Sequence, residues 1–202
     1  MKKNLLKIFA VLMCTVMLFS SCDVISLDLI KDEFSPKTED GTPKVKAPSF
    51  FVYDSLGNKV NFSDFAGKPA LLYLWITGLS TIREELEYYD KANREYGDKI
   101  NFMMIHLTDE RFETKEKALT AVTGLTVPVY YDIDKSCAFA YSVNELETFP
   151  RTIFIDKDGY IMHDEAGSLS NYNSYLEENI PRLSRGEPYI TETPKRCGYC
   201  IY

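Results

Sequence analysis

Two cysteines near the C-terminus are the residues best spaced for chemistry. Cys197 and Cys200 have the C-x-x-C spacing of a dithiol that can close into a disulfide and reopen by exchange. Lys195 and Arg196 precede the pair, and nearby positive charge favours the reactive thiolate. Three interpretations stay open: a redox-active pair, half of a metal site, or a structural disulfide that closes a surface tail.

The other cysteines and histidines add little to a catalytic or metal site. His106 and His163 are the only histidines, and neither has ligand spacing to the C-terminal pair. We therefore expect no metal and no other cofactor. Cys137 lies in the apolar segment CAFAYSV, and a buried cysteine behaves as a small hydrophobic residue.

The N-terminus has the pattern of an export signal. A lysine-rich start precedes an apolar run from Ile8 to Phe19, and small residues follow it. Cys22 comes directly after two serines, as in the lipidation motif of bacterial lipoproteins. We expect Cys22 to carry lipid and to become the mature N-terminus; an ordinary secretory signal is the alternative. Two or more acyl chains would anchor the protein to a membrane.

Charge limits the class of partner. Removal of residues 1–21 would take three lysines and no acidic residue from a formal net charge of −7, leaving −10. A chain this acidic is a poor ligand for nucleic acid, so we expect no nucleic-acid partner. Export implies the cell envelope, where disulfides persist.

A strand and a helix in the middle of the chain form a candidate site. Ala70 to Ile76 is a continuous apolar run, typical of a strand buried on both faces of a mainly parallel sheet. Apolar residues then recur at helical spacing, at Ile82, Leu86, Tyr89 and Tyr96. The pattern assigns these charged residues to the solvent face: Arg83, Glu84, Glu85, Glu87, Asp90 and Lys91. The residues that open the helix, Ser80 and Thr81, carry only hydroxyls.

This junction resembles that of the TlpA/ResA-type thioredoxins, which read roughly FWATWCPPCREEMP. Trp75 and Thr77 match the family's first Trp and its Thr, and residues 83–85 match its REE. Leu79 and Ile82 fall on the two redox cysteines. The resemblance therefore implies a thioredoxin-like domain whose usual dithiol is replaced by Leu79-Ser80-Thr81-Ile82, and which is redox-silent at that site.

The resemblance covers about residues 48–184 and implies an α/β fold. The expected architecture is a thioredoxin-like mixed central sheet flanked by helices, with an N-terminal β-hairpin. We predict a lipoprotein-type signal peptide at 1–21, a tether at 22–47, the thioredoxin-like domain at 48–184 and a tail with CGYC at 185–202. The last helix, Ser170 to Leu183, is predicted to bend or end near Pro181.

The same resemblance implies a surface for a protein or peptide client. In the family, the proline equivalent to Pro150 is cis, and the residue before it pairs with the client backbone. Phe149 and Pro150 would then join the replaced dithiol segment, Leu79, Ser80, Thr81 and Ile82, in an apolar groove. The alternative is that Pro150 merely starts a strand and Phe149 fills the space left by the cysteines.

Three functional hypotheses follow from the sequence. The first is a membrane-anchored, redox-silent protein that binds a client in the apolar groove implied by the family resemblance. The second is a thiol–disulfide oxidoreductase that uses Cys197 and Cys200, and the third is a lipoprotein without a client. The sequence does not identify the client, the membrane or the oligomeric state.

Overall fold

A computed structural model of the chain describes residues 36–37, 41, 43–109, 111–143, 149–167 and 173–190. The chain divides into two units, Met1–Lys44 and Val45–Tyr202. The described part of the first unit contains a bridge between Lys37 and Pro43. The second unit contains the sheet and helices described below.

The elements of the second unit follow the predicted order. The strands are β1 (Phe51–Tyr53), β2 (Lys59–Asn61), β3 (Ala70–Trp75), β4 (Asn101–His106), β5 (Val129–Tyr131), β6 (Arg151–Ile155) and β7 (Ile161–Ala166). The helices are a 3-10 turn (Phe62–Phe65), α1 (Ile82–Tyr96), α2 (Lys115–Ala121), α3 (Ser136–Ala140) and α4 (Asn173–Arg185). None of the helices in the described ranges is long and apolar enough to cross a bilayer.

The described strands form one mixed sheet in the order β2-β1-β5-β4-β3-β6-β7. Three central strands are parallel, because β3 pairs with β4 and β4 with β5 in the same direction. β6 and β7 extend the sheet antiparallel on one side, and the β1–β2 hairpin does so on the other. The expected mixed sheet with an N-terminal hairpin is confirmed.

The central position of β3 in the sheet explains why its sequence is apolar throughout. Its alternating side chains enter two cores on opposite faces of the sheet, with Leu71, Tyr73 and Trp75 on one side and Leu72 and Leu74 on the other. Helices α1 and α4 cover the first face, and α3 packs on the second. All six residues of β3 are buried. A strand covered on both faces needs no polar alternation.

The C-terminal helix differs from its predicted form. Pro181 lies inside α4, which ends at Arg185, two residues beyond the predicted end at Leu183. A proline removes one N–H from the helix, and the carbonyl four residues earlier belongs to Glu177, which is exposed and can bind water. Beyond the helix, residues 187–190 pack on the domain, although we predicted a tail from 185 onward.

Candidate functional site

The loop between β3 and α1, residues 76–81, lies at the carboxyl end of a central strand, where open α/β sheets bind ligands. β3 and β4 are in register to their last residues, Trp75 and His106. The loop and the end of β4 therefore lie at the same end of the sheet. The Ile82 N–H donates to the Leu79 carbonyl at 3.2 Å as helix α1 begins.

The two residues at the family's cysteine positions have different surroundings. Leu79 is half-buried and packs against the core under α1, and Ser80 is exposed. Ile82 is only 6% exposed and belongs to that core. Ile82 therefore does not form part of the exposed client surface that we expected, because its side chain is used to bury α1 against the sheet.

The Phe149–Pro150 peptide bond is cis, which confirms that prediction. Phe149 is half-buried and Pro150 is buried. Because Arg151 pairs with Leu74 across β6 and β3, Pro150 lies at the same end of the sheet as the 76–81 loop. The Pro150 carbonyl accepts a hydrogen bond of 2.7 Å from the Gly167 N–H.

Arg151 fixes the chain directly after the cis proline. Its guanidinium donates from Nε and Nη2 to the two carboxylate oxygens of Asp164, at 2.6 and 2.7 Å. A third bond of 2.7 Å runs from Nη1 to the Tyr141 carbonyl. This two-point pairing is the strong geometry for arginine and carboxylate, so β6, β7 and the end of α3 are joined beside Pro150.

Glu85 is buried under the loop rather than exposed, which corrects the solvent-face assignment. It is 3% exposed and accepts hydrogen bonds from the hydroxyls of Tyr73, at 2.5 Å, and Thr81, at 2.6 Å. Thr81 is half-buried, so its hydroxyl is directed inward rather than toward a client. Burial raises the pKa of Tyr73, and the nearby Tyr89 and Glu85 add to that rise.

A second polar cluster lies at the other side of the loop. Oε2 of Glu113 accepts hydrogen bonds from the Thr77 N–H and the Thr77 hydroxyl, both at 2.7 Å. His106 Nε2 lies 3.2 Å from the same oxygen, and His106 Nδ1 lies 3.0 Å from the Thr108 hydroxyl. Glu113 therefore holds the first residues of the loop against the end of β4.

The two ionisable groups of this cluster favour opposite charge states. Burial lowers the pKa of His106 below its usual value, although Glu113 acts in the other direction. Burial alone would raise the pKa of Glu113, but the hydrogen bonds from Thr77 and His106 outweigh it and lower that pKa. At neutral pH the cluster thus contains a neutral imidazole and a carboxylate.

The cysteines that carry the predicted chemistry lie outside the described residues. This applies to the lipidation candidate, Cys22, and to the candidate dithiol, Cys197 and Cys200. Cys137 is buried and free, as we predicted for a small hydrophobic residue. Burial raises the pKa of its thiol well above the usual value. Within the described ranges, no group of three or more histidine, cysteine or acidic side chains is placed to hold a metal.

The sequence analysis missed the polar groups that fix the loop. Glu85 lies three residues after Ile82 and four before Tyr89, so helical spacing alone places it on the apolar stripe. This spacing was sufficient to predict that Glu85 faces the core. Glu113 has no comparable signal, since its partners Thr77 and His106 lie 36 and 7 residues away in irregular positions.

A family model described as Redoxin matches residues 42–179. Among curated proteins, the thiol-disulfide oxidoreductase ResA of Bacillus cereus is 28% identical over 183 residues, covering 90% of this chain and 100% of ResA. The thioredoxin-like protein YneN of Bacillus subtilis is 29% identical over 126 residues, covering 62% of this chain and 72% of YneN.

Solved structures show the same fold. A Chlorobium tepidum protein assigned as a thiol:disulfide interchange protein DsbE superposes with a TM-score of 0.60. It is 19% identical, and the alignment covers 70% of this chain and 96% of that protein. The predicted thioredoxin-like architecture is thereby confirmed.

Proposed function

Since the chain belongs to the redoxin family and is similar to thiol–disulfide oxidoreductases of the ResA type, we propose that it binds an extended protein or peptide client beside Pro150. We also propose that it does so without disulfide exchange at the fold's usual dithiol site. The observation that carries this proposal is the placement of Leu79 and Ile82 at the start of α1, at the end of the sheet where the cis proline lies.

The described residues near the loop offer no substitute for the missing dithiol. Exchange needs a thiolate near a helix N-terminus and a resolving thiol within reach. The Thr81 hydroxyl donates to Glu85, and the His106 Nε2 atom lies against Glu113, so this histidine is not directed at a hydroxyl of the loop. Cys137 is buried with a raised pKa, which makes it unreactive.

Two partly exposed apolar side chains support client binding. Leu79 and Phe149 are each half-buried, at the end of the sheet where Pro150 lies. Leu79 packs against the core on the α1 face of the sheet and Phe149 against the core on the opposite face, so they border this end of the sheet from its two sides. An extended chain bound there would use main-chain hydrogen bonds and alternate side chains. Loss of the thiols at positions 79 and 82 removes the exchange reaction but leaves this surface in place.

The client test uses the full chain with Cys197→Ser and Cys200→Ser, titrated with a library of extended peptides. Trp75 is the chain's one tryptophan, is buried, and directly precedes the loop, so its fluorescence reports binding. We expect Phe149→Ala to weaken binding about 10-fold, because the lost aromatic contact is worth roughly 1–2 kcal/mol. Phe139→Ala, at an exposed phenylalanine of α3, serves as the matched control. Equal effects of the two substitutions, or no peptide binding at all, would contradict the proposal.

We further propose that the protein is held outside the cytoplasm by lipid on Cys22. The support is the export pattern of residues 1–21, which ends directly before this cysteine. Mass spectrometry of the protein from the membrane fraction should show an acylated Cys22 at the N-terminus. An unmodified Cys22 thiol, or cleavage at another position, would exclude this anchor.

The second candidate function is thiol–disulfide exchange by Cys197 and Cys200. One observation favours it: the backbone is fixed to the domain at Ile190, only seven residues before Cys197. Titration in a glutathione redox buffer tests it. Rapid, reversible exchange with a client peptide that disappears in Cys197→Ser would make the protein an oxidoreductase, and a stable, unreactive disulfide would exclude that role.

A further inference from the structure

The chain reverses direction after α4 and returns along the helix. Gly186 has a φ of +71°, and its N–H donates to the Leu183 carbonyl at 3.1 Å. The Glu187 N–H then donates to the Arg182 carbonyl at 3.0 Å. A left-handed glycine at this position ends a helix and turns the chain back. We call residues 187–190 the strap.

Side chains of α4 bind the backbone of the strap at two positions, Pro188 and Ile190. Arg182 Nε donates to the Pro188 carbonyl at 2.8 Å. Asn179, which is 1% exposed, pairs with Ile190 through both ends of its amide. Its Nδ2 donates to the Ile190 carbonyl at 3.0 Å, and its Oδ1 accepts from the Ile190 N–H at 2.8 Å. The Asn179 amide therefore pairs with the backbone of Ile190 through one donor and one acceptor, as a residue of a neighbouring strand would.

Tyr189 fastens the strap to the sheet. Its ring stacks on that of His163, with centroids 4.0 Å apart and planes 8° from parallel. It also contacts the ring of Phe154 edge-on, with centroids 5.1 Å apart. Phe154 and His163 are paired residues of β6 and β7. The strap thus lies over the strand that begins at the cis proline.

The contacts of the strap give its direction. Pro188 lies beside Arg182 and Ile190 beside Asn179, so the chain runs antiparallel to α4, toward the start of that helix. Tyr175, at that start, lines a small cavity together with Gly167 and Thr152. Gly167 donates to the carbonyl of Pro150. The chain therefore leaves Ile190 directed at the end of the sheet that holds the proposed client surface.

We propose that residues 191–202 lie across the end of the sheet that carries Leu79 and Phe149 when no client is bound, which brings Cys197 and Cys200 beside the position of the fold's lost dithiol. The proposal rests on the proposed function of that surface. Cys197 is the seventh residue after Ile190, so the stretch between their Cα atoms spans up to about 23 Å. The part of α4 from Asn179 back to Asn173 is only about 9 Å long.

The composition of the last residues fits this occupant. The chain ends in Tyr199, Cys200, Ile201 and Tyr202, which are apolar or aromatic side chains suited to Leu79 and Phe149. A ligand tethered by a short linker has an effective concentration of about 1 mM, so even a weak contact would be substantially occupied. A free client would then have to displace the C-terminal segment.

The test is a disulfide trap in the full chain carrying Cys200→Ser. Leu79→Cys is oxidised with glutathione disulfide, and peptide mapping without reductant identifies the bonds formed. We expect an intramolecular bond between the new thiol and Cys197, in a protein that stays monomeric. Ser80→Cys, at an exposed position one residue on, is a second trap in case the first variant does not fold.

Leu56→Cys is the control, because Leu56 is 85% exposed in the β1–β2 turn. β1 lies five strand spacings from β7, about 24 Å across the sheet, so its thiol is more accessible to the oxidant but farther from the strap. We expect the bond at position 79 to form at least 10-fold faster than the bond at position 56. Equal rates, or bonds only between molecules, would overturn the proposal.

A parallel peptide titration separates the two claims. Peptide binding without cross-linking at position 79 or 80 would overturn self-docking and leave the client surface standing. Cross-linking without peptide binding would overturn the client proposal and show that the surface serves the chain's own C-terminus.

Discussion

Glu113 shows at the residue scale how the loop keeps its shape without the family's disulfide. One carboxylate oxygen accepts both the N–H and the hydroxyl of Thr77, and His106 lies against the same atom. A Cβ at Gly78 would lie 3.7 Å from the other carboxylate oxygen, which is ordinary contact, so this contact does not require a glycine. The loop is therefore tied to β4 by charge-assisted hydrogen bonds.

Glu113→Gln should destabilise the protein by about 1–2 kcal/mol, because the amide keeps the size of the side chain but turns an N–H₂ group toward donors. Urea unfolding followed by Trp75 fluorescence measures this loss as a lower midpoint with an unchanged slope. Glu178→Gln, at an exposed position of α4, should change the midpoint little. A midpoint unaffected by Glu113→Gln would show that the carboxylate does not hold the loop.

The two histidines give the stability a defined pH dependence. Burial lowers the pKa of both His106 and His163 below 6.5. The unfolded chain therefore binds protons first as the pH falls, and the free energy of unfolding should decrease from about pH 6.5 downward. Glu113 and Asp90 have lowered pKa values and stay ionised in this range.

Denaturant unfolding between about pH 5 and pH 8 should show the decrease in the native protein and a weaker one in His106→Gln/His163→Gln. The same decrease in both proteins would rule out the histidines as its source.

At the element scale, α1 shows what the sequence could and could not predict. The apolar run of β3 and the stripe of Ile82, Leu86 and Tyr89 located the strand and the helix to within a residue or two. The same amphipathic pattern placed Glu85 and Asp90 in solvent, yet they are 3% and 2% exposed.

Burial of these carboxylates depends on partners that the helix does not contain. Asp90 accepts hydrogen bonds from the backbone N–H groups of Thr126 and Val127, 36 and 37 residues away, and Glu85 binds Tyr73 of β3. Periodicity describes one helix at a time, so it cannot anticipate polar groups that another segment supplies. The cis bond at Pro150 was predictable only from the family resemblance.

The start of α1 should support redox chemistry once thiols are restored. With dithiothreitol as the reductant that regenerates the protein dithiol, Leu79→Cys/Ile82→Cys, in a chain with Cys197→Ser and Cys200→Ser, should reduce insulin disulfides at least 10-fold above background. A thiolate at the helix N-terminus is stabilised by the helix dipole. Ile82→Cys also removes buried volume and should cost about 1–2 kcal/mol of stability. The control pair Ser80→Cys/Arg83→Cys has the same spacing but lies on exposed positions. Activity in the control pair equal to that in the restored pair would show that the site offers no special environment.

At the scale of the whole molecule, the strap joins the end of α4 to the antiparallel half of the sheet. Its contacts reach from α4 to β6 and β7, so it connects elements that are distant along the chain. Sequence patterns predicted a loose tail here, because residues 185–190 have no helical or strand period. The strap is fixed by a few side chains, among them Asn179 and Tyr189, and neither residue has a regular signal.

Tyr189→Ala should release the strap and uncover His163. Loss of the stacked ring should cost about 1–3 kcal/mol, and the pKa of His163 should rise toward 6.5 because burial is what lowers it. NMR titration of the two imidazoles measures this rise, and His106 is the internal control because it lies in the other polar cluster. An unchanged pKa of His163 would mean that the strap does not cover it.

The backbone at Val45 and Ala47 shows at which end of the sheet the chain enters the domain. The Ile161 N–H donates to the Val45 carbonyl, and the Ala47 N–H donates to the Gly159 carbonyl, so the chain joins the domain at the β6–β7 turn. That turn lies beside Ala70, whereas the candidate site follows Trp75, about 17 Å along the same strand. The chain thus enters the domain at one end of the sheet, and the candidate client surface lies at the other end. If the chain is anchored through Cys22, as proposed, the candidate client surface lies at the end of the domain farther from the point where the chain enters it.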